Sequence, residues 1–387
     1  MQQILKLLLS TFLIFGLLSC SADEGSTDDD LIENPDDGSG ENPIDENPDE
    51  EEVEDPTDEG EEVETPDEGE ETEEPPVTVS GSVVDTFGQL SINGRHVVDK
   101  NDNPIQLRGM SLFWSQWDGS PYYNQATVKW LKEDWHATIV RAAMGVEDQG
   151  GFISNPDTEK AKVFAVIDAA IAEGIYVIVD WHSHHAEQNL ERAKEFFIEV
   201  AQKYGKYPNI IYEIYNEPLN DNANWNTVLK PYHEAVITEI RKHDTNNIIV
   251  CGTRTWSQRV DEVIGNEIND PNVAYTLHYY SSFPDHQKPL RDIAQEAIDA
   301  GLPLFVTEYG VTLNTGNGNI NPAEAEIWWE FLDTNKISWC NWSIVDKNET
   351  SAALFPGTTV NNLSVDNLTT SGKMVFDEMI KKNQDFE

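Results

Sequence analysis

Short apolar runs alternate with longer stretches of helical periodicity along the chain after residue 100. The short runs are rich in β-branched and aromatic residues, as buried strands prefer, and the longer stretches repeat apolar residues every three or four positions. Eight strands are predicted, at 105–109, 138–142, 176–181, 210–216, 248–251, 274–278, 304–308 and 337–342. Helices are predicted at 124–134, 159–173, 187–204, 227–243, 259–265, 288–300, 322–335 and 372–381.

This alternation predicts an α/β fold, the (β/α)8 or TIM barrel, because eight strand-helix units match its size and single-domain character. Turn signals at Phe87-Gly88 and Asn93-Gly94 predict a short N-terminal β-hairpin before the barrel. A doubly wound open sheet is the alternative. It predicts a glycine-rich phosphate loop after an early strand, and the turn Arg108-Gly109-Met110-Ser111 does not provide one.

Residues 1–20 are predicted to be a lipoprotein signal peptide. Lys6 precedes an apolar run from Leu7 to Leu18 that suits a signal-peptide core and is short for a membrane span. The sequence Leu-Leu-Ser-Cys ending at Cys20 resembles a bacterial lipobox, and the acidic stretch after it resembles a surface-export signal. We therefore expect an exported outer-membrane lipoprotein, lipidated at Cys20 and exposed at the cell surface, with simple secretion as the alternative.

Residues 21–78 are predicted to be a disordered acidic linker, and residues 79–387 the catalytic domain. Positions 21–76 hold 28 of the 71 Asp and Glu residues and no Lys or Arg, so charge repulsion opposes burial there. Residues 77–387 have 43 acids against 24 bases, a net charge of -19, which disfavours nucleic acid and anionic membrane as partners. We expect a neutral partner, membrane contact only through the lipid anchor, and a monomer.

The two cysteines after Cys20 are Cys251 and Cys340. Each lies in an apolar, strand-like context, and the chain has no Cys-x-x-Cys spacing. They are predicted to be buried free thiols.

Two predicted strands end in a carboxylate. Tyr212 to Pro218 reads Tyr-Glu-Ile-Tyr-Asn-Glu-Pro, and Pro218 cannot continue a ladder, so this strand should stop at Asn216 or Glu217. The strand from Leu304 to Gly310 carries Glu308 at its end. Because the carboxyl ends of barrel strands face one rim, where active sites lie, both glutamates are expected there.

Other polar and aromatic residues follow the predicted strand ends. They include Arg141, Asp180-Trp181-His182, Asn216, Trp256, His278, Tyr280 and Trp342. A carboxylate pair among such groups suits glycosidic-bond cleavage, in which one acid protonates the leaving oxygen and the other attacks the anomeric carbon or activates water. Aromatic faces and amide or imidazole groups for a sugar are available from Trp117, Trp181, Trp256, Trp342, His182, His278 and Asn216.

Metal catalysis is an alternative because His182, His184 and His185 cluster. Two of these histidines follow the strand in a loop, and no carboxylate clearly completes a ligand set. We expect no metal and no cofactor.

From Leu90 to Ile380 the chain resembles glycoside hydrolase family 5 of the bacterial endoglucanase type, and seven motifs carry the resemblance. They are Arg-Gly-Met-Ser at 108–111, Val-Arg-Ala-Ala-Met at 140–144, Val-Asp-Trp-His at 179–182, Ile-Tyr-Glu-Ile-Tyr-Asn-Glu-Pro at 211–218, Leu-His-Tyr-Tyr at 277–280, Val-Thr-Glu-Tyr-Gly at 306–310 and Ser-Trp-Cys-Asn-Trp-Ser at 338–343. The resemblance implies that Glu217 is the proton donor and Glu308 the nucleophile of a retaining endo-β-1,4-glucanase (a cellulase) acting on cellulose-like or mixed-linkage β-glucans.

The same resemblance implies that Asn216 binds the hydroxyl next to the reacting carbon and that His182 and His278 line that subsite. Trp342 would be a stacking platform, and Lys347 a polar contact one subsite further out. Phe113, where many relatives carry histidine, and Gly145, where an aromatic is common, depart from the family pattern.

Electrostatic arguments predict roles for the charged residues. Arg141 and Tyr280 are expected to keep Glu308 ionised, while Glu217 must retain its proton. Glu213 is expected to be a buried structural acid paired with Arg108 or Arg141.

Asp180 is likewise expected to be structural.

Strict strand alternation would send Asn216 and Glu217 to opposite faces, so a break near Pro218 is required. Two alternatives stay open: another β-glycanase of the family, such as a mannanase or xyloglucanase, and a catalytically silent glycan-binding surface lipoprotein.

Overall fold

The computed structural model describes residues 78–220 and 223–386. The predicted signal peptide, Cys20 and all of the predicted linker except Thr78 lie outside the described residues. Within the described ranges, no helix is both long enough and apolar enough to span a bilayer.

A short helix and a hairpin precede the barrel. Helix α1, Val83–Phe87, begins where the Ser82 hydroxyl accepts a hydrogen bond from the Asp85 amide. The antiparallel hairpin consists of β1, Ser91–Asn93, and β2, His96–Val98. The prediction of an N-terminal hairpin is confirmed. The residues just before it form a helix instead of a strand, because the Ser82 cap favours a helix there.

Eight parallel strands close into a barrel, which confirms the predicted TIM barrel. They are β3 (Arg108–Leu112), β4 (Ile139–Gly145), β5 (Tyr176–His182), β6 (Ile210–Glu213), β7 (Ile248–Cys251), β8 (Val273–Thr276), β10 (Leu304–Gly310) and β11 (Trp339–Ile344). The pairing of β11 with β3 completes the ring, and β9 (Tyr279–Tyr280) extends the β8 edge alongside β10.

Helices surround the barrel. They are α2 (Gln125–Trp135), α3 (Pro156–Glu173), α4 (Leu190–Tyr204), α5 (Lys230–Ile240), α6 (Arg254–Ser257), α7 (Lys288–Asp299), α8 (Pro322–Asn335) and α9 (Thr370–Lys382). The helix predicted at 259–265 is wrong, because a single 3-10 turn, Val260–Val263, occupies this segment. The short α6 before it is not a regular helix, since Thr255 and Trp256 have left-handed backbone angles.

The barrel strands are buried along their whole length except at Arg108, and the apolar core lies inside the barrel and beneath the helices. Trp181 belongs to this core. Its ring lies against Phe152, Phe196 and Phe197, so its suggested role as a sugar platform is wrong. Alternation along β5 turns Trp181 toward the helices and the next residue, His182, toward the barrel mouth.

The two cysteines of the barrel are buried and free. Cys251 ends β7, and Cys340 lies in β11. The prediction of buried free thiols is confirmed for both.

Candidate active site

The carboxyl ends of the barrel strands surround an open cleft of about 430 Å³. The predicted site residues that line it are Trp117, His182, Glu217, His278, Tyr280, Glu308, Trp342 and Lys347. Arg141 and Asn216 are fully buried, and Arg141 contacts Glu308 from within the barrel. All ten predicted residues therefore belong to one site.

The segment after β6 is irregular, and this brings Asn216 and Glu217 to the same site. Regular pairing ends at Glu213, three residues before the predicted end. The Asn216 and Glu217 amides still donate to carbonyls at the end of β5, those of Trp181 and Ser183, both at 3.2 Å. Because the chain has left regular strand geometry, strict alternation no longer separates the two side chains.

Glu217 and Glu308 face each other across the cleft floor. One carboxylate oxygen from each, together with a ring nitrogen of His278, lies within 4.8 Å of the others. Retaining glycosidases hold their carboxyl groups about 5–5.5 Å apart, whereas inverting enzymes need about 6.5–9.5 Å to admit a water molecule. The short separation leaves room for one sugar carbon between the carboxylates.

Glu308 accepts two hydrogen bonds that orient its carboxylate. Tyr280 donates its hydroxyl to Oε1 at 2.7 Å, and Arg141 donates Nη1 to Oε2 at 3.0 Å. Burial and the negative charge of Glu217 raise the pKa of Glu308, although His278, Arg141 and Tyr280 act in the opposite direction. The predicted contacts of Arg141 and Tyr280 are present, and they limit a shift that burial causes.

Glu217 is held by two histidines. His278 Nδ1 lies 2.9 Å from Oε1, and His184 Nε2 lies 3.2 Å from Oε2. Burial raises the pKa of Glu217, but the hydrogen bonds and positive charges of His184 and His278 outweigh it and lower this pKa to about 2. In the free protein Glu217 is therefore an anion, which differs from the expectation that its own environment retains the proton.

The proton is held by His278 instead. Although burial lowers the pKa of His278, hydrogen bonds to Glu213 and Glu217 raise it to about 9. Thr307 donates its hydroxyl to Glu213 at 2.6 Å, so the 2.8 Å contact between Thr307 and His278 requires Nε2 of His278 to be the donor. Nδ1 then faces Glu217 with the exchangeable proton.

Arg141 gathers three buried carboxylates. Its guanidinium lies 2.7 Å from Glu213, 2.9 Å from Asp180 and 3.0 Å from Glu308. Glu213 therefore pairs with Arg141 as expected, rather than with Arg108. Both predictions of a structural acid, for Glu213 and Asp180, agree with these contacts.

The pKa values of the carboxyl groups around Arg141 are shifted in different directions. Despite burial, Arg141 and the hydrogen bonds to His278 and Arg141 lower the pKa of Glu213. Burial raises the pKa of Asp180 well above its ordinary value, because Arg141 does not fully offset it and Glu213 and Glu308 are negative. The neutral form of Asp180 is therefore favoured more than in an ordinary aspartate, since one guanidinium does not fully balance three carboxylates.

Asn216 and His182 form the inner wall. Arg141 donates Nη2 to Asn216 Oδ1 at 2.7 Å, which orients the amide. The Asn216 Nδ2 group is buried and has no hydrogen-bond partner within residues 78–220 and 223–386. His182 contacts Asp180 at 2.6 Å, and its ring lies parallel to Trp342 with 5.2 Å between ring centroids.

Exposed aromatic side chains line opposite sides of the cleft, since Trp117 follows β3 and Trp256 follows β7, across the barrel. Trp117 is 42% exposed and packs against Trp114, with 4.8 Å between ring centroids. Trp256 is 40% exposed. Lys347 lies 4.9 Å above the ring of Phe113, beside Trp342.

A left-handed turn fixes Trp256. Thr255, Trp256 and Ser257 have φ values of 61°, 52° and 56°, a conformation that costs about 1–2 kcal/mol for each such residue. Hydrogen bonds compensate: the Trp256 amide donates to the Pro218 carbonyl at 2.9 Å, and the Ser257 hydroxyl to the Asn216 carbonyl at 2.6 Å. The turn thus braces the segment that carries Glu217.

Sequence reasoning missed several lining residues, among them Trp114, His184 and Glu349. His184 was considered only as a metal ligand in the His182–His185 run, and its contact with Glu217 depends on the loop after β5. In the described residues, Glu217, His278 and Glu308 are the His, Cys, Asp or Glu side chains grouped closely enough to hold a metal ion. The histidine run does not form that group.

The fold and the site are those of a (β/α)8 glycoside hydrolase. The chain belongs to glycosyl hydrolase family 5, the cellulase family, whose family model matches residues 98–348. It is 46% identical to Endoglucanase Z of Dickeya dadantii over 74% of this chain and 65% of that protein. It is 43% identical to Endoglucanase A of Evansella cellulosilytica over 72% of this chain and 57% of that protein. The chain thus spans less than two thirds of the length of these curated relatives.

Solved structures of similar sequence have the same fold. A structure from Cytophaga hutchinsonii has 54% identity and a TM-score of 0.76, with 78% of this chain and 98% of that chain covered. The catalytic domain of Thermobifida fusca endoglucanase Cel5A has 32% identity and a TM-score of 0.72, with 77% and 99% covered.

Proposed function

We propose that this protein is a retaining endo-β-1,4-glucanase that cuts cellulose-like or mixed-linkage β-glucans within the chain. The observation that carries the proposal is the approach of Glu217 and Glu308 oxygens to within 4.8 Å at the mouth of a family 5 barrel. That spacing suits direct attack on carbon.

In the first step, a Glu308 oxygen bonds to the anomeric carbon while the bond from that carbon to the leaving oxygen breaks. Glu217 gives the leaving oxygen a proton. In the second step, Glu217 takes a proton from water, the water oxygen bonds to the anomeric carbon and the Glu308 ester bond breaks. Two inversions restore the original configuration.

The proton of the first step comes from the Glu217–His278 pair. It crosses the 2.9 Å hydrogen bond from His278 Nδ1 to Glu217 as the sugar oxygen approaches. Bound sugar also excludes water, and the remaining charge of Glu308 then favours protonated Glu217. When Glu308 has become a neutral ester, this repulsion ends and the pKa of Glu217 falls. Glu217 is then a carboxylate that can act as the base.

The other site residues bind and orient the sugar. Asn216 offers its unpaired Nδ2 to the hydroxyl beside the reacting carbon, and His182 lines the same subsite. Trp342 and Trp117 supply stacking faces, and Lys347 a polar contact further out. An open cleft accommodates a continuing polymer, which favours endo action.

Product analysis tests this function. Hydrolysis of barley glucan, carboxymethylcellulose, mannan and xyloglucan should be greatest on the glucans, with the β-anomer as first product and early formation of medium-length fragments. A preference for mannan or xyloglucan would assign the chain to another β-glycanase activity of the family. Initial release of the α-anomer would exclude the covalent route.

We also propose an exported outer-membrane lipoprotein that is anchored through Cys20, faces the cell exterior and acts as a monomer. The lipobox-like sequence before Cys20 and the acidic segment after it support the anchor and a tether. Its partner is a β-glucan polysaccharide or oligosaccharide, not nucleic acid.

A further inference from the structure

A second groove of about 260 Å³ lies beside the catalytic cleft. Lys347 and Glu349, which form a 2.8 Å ion pair, line both cavities. The loop after β10 also borders both, through 314–316 in the cleft and Asn317 in the groove. The groove therefore adjoins the cleft along the same two loops.

The groove has the chemical character of a sugar site. Hydroxyl and amide side chains line it, including Asn348, Thr350 and Thr370. Phe355 borders the same groove, and half of its surface is exposed. Polar groups for hydroxyls beside one aromatic ring for the C–H face are the combination that carbohydrate binding requires.

Phe355 is held on a rigid turn. The Thr358 amide donates to the Phe355 carbonyl at 3.1 Å across Pro356-Gly357, and Gly357 has φ 91°, as a type II turn needs. The Phe355 amide donates to the Asn367 carbonyl at 2.9 Å. An exposed ring on a fixed backbone loses little freedom when a ligand binds.

The turn is also anchored to the rim of the barrel. Tyr122 donates its hydroxyl to the Thr358 carbonyl at 2.7 Å, and the Gly357 amide donates to Asp346 at 3.0 Å. Asp346 immediately precedes Lys347, so Phe355 has a fixed position relative to the cleft wall.

The groove lies on the glycone side of the scissile bond. Glu217 must touch the oxygen of the leaving sugar, and Trp256 stands beside the segment that carries Glu217. Lys347 follows β11, which lies across the barrel from β6, and its ammonium group lies over Phe113, whose ring contacts Trp342. A glucan that passes Lys347 would thus extend its nonreducing end into the groove.

We propose that this groove is a distal glycone subsite, in which Phe355 stacks on a glucosyl unit at the third position from the scissile bond or beyond. The proposal rests on the proposed glucanase function and adds a dependence on chain length. Long glucans would gain from the groove, and short ones would not reach it.

The test measures kcat/KM of the full chain and its Phe355→Ala variant on cello-oligosaccharides of three to six glucosyl units, isotopically labelled at the reducing end. We expect an unchanged value on the trimer and a loss of about five- to tenfold on the hexamer, the size expected when one ring face of apolar contact is removed. The cleavage position on the hexamer should move toward the nonreducing end.

Phe355→Trp should retain the hexamer rate, and Ile327→Ala, an exposed apolar residue on α8, should leave every rate unchanged. Equal rates for wild type and Phe355→Ala at all lengths would overturn the subsite. An equal loss at all lengths would overturn it too. A wild type that cleaves none of these substrates would instead count against the glucanase function.

Discussion

His278 Nδ1 lies 2.9 Å from Glu217 Oε1, and the opposite nitrogen of the same ring contacts Thr307, which donates to Glu213. This chain fixes the tautomer and leaves one proton to be shared between His278 and Glu217. The acid of the proposed reaction is therefore a pair of residues, and its proton is lost at the pKa of the pair.

The pH profile of kcat/KM should report this pair. Glu308 must be ionised, and because its pKa is raised above 4.5, activity should fall on the acidic side at a pH above that value. The shared proton leaves near the raised pKa of His278, about 9, so activity should fall again near pH 9. Rates on soluble β-glucan across the pH range measure both limbs.

His278→Asn provides the matched variant for the basic limb. Without the imidazole, Glu217 must hold its own proton, so the basic limb should move to lower pH and kcat should fall at least about tenfold. Because Arg141 and Tyr280 remain, the acidic limb should move less. A basic limb that stays near pH 9 in this variant would show that His278 does not hold the proton.

Glu308→Gln should abolish turnover and preserve binding. The amide has the same size but cannot form the glycosyl ester, so kcat should fall more than about a thousandfold. Calorimetric titration with a cello-oligosaccharide should give a Kd within a fewfold of wild type. Glu326→Gln, on the exposed face of α8, is the control and should retain full turnover. Unchanged activity of Glu308→Gln would refute the nucleophile assignment.

Much of the site could be predicted because strand ends in a parallel barrel converge. Glu217 and Glu308 are far apart in sequence, yet each follows an apolar run, and topology alone brings both runs to one rim. The same argument placed Arg141, His182 and His278 correctly. It needed only the order of the strands.

The predictions that were wrong concern features that depend on contacts between distant segments. The early end of β6 at Glu213 reflects how the following residues pair with β5, which a propensity argument does not include. The low pKa of Glu217 needs both His184 and His278, one of which sits in a loop. Trp181 looked like a sugar platform because the faces of β5 cannot be assigned without the helix that covers it.

The proposed tether should be separable from catalysis. Cys20→Ala should move the protein from the membrane fraction to the soluble fraction, because the lipid is attached at that sulfur. Cys251→Ala, which removes a buried thiol of β7, should leave fractionation unchanged. Deletion of 21–76 should leave kcat/KM on soluble glucan within about twofold of wild type. Loss of folding on this deletion would contradict a tether role.

The buried acids around Arg141 should respond differently to neutralisation. Burial and the neighbouring anions raise the pKa of Asp180 and favour its neutral form, so Asp180→Asn should change the free energy of unfolding by less than about 1 kcal/mol. Glu213 has a lowered pKa and is ionised. Glu213→Gln removes its charge beside the guanidinium and should cost about 3 kcal/mol or more.

Urea unfolding at neutral pH measures both changes. The charge of Glu213 contributes stability above its ordinary pKa of 4.5, and this contribution is lost as the pH falls through its lowered pKa in the folded protein. The difference between Glu213→Gln and wild type should therefore shrink on acidification, whereas that for Asp180→Asn should stay small between pH 5 and neutrality. Equal destabilisation by both substitutions at neutral pH would mean that Asp180 is also charged and that Arg141 balances three anions.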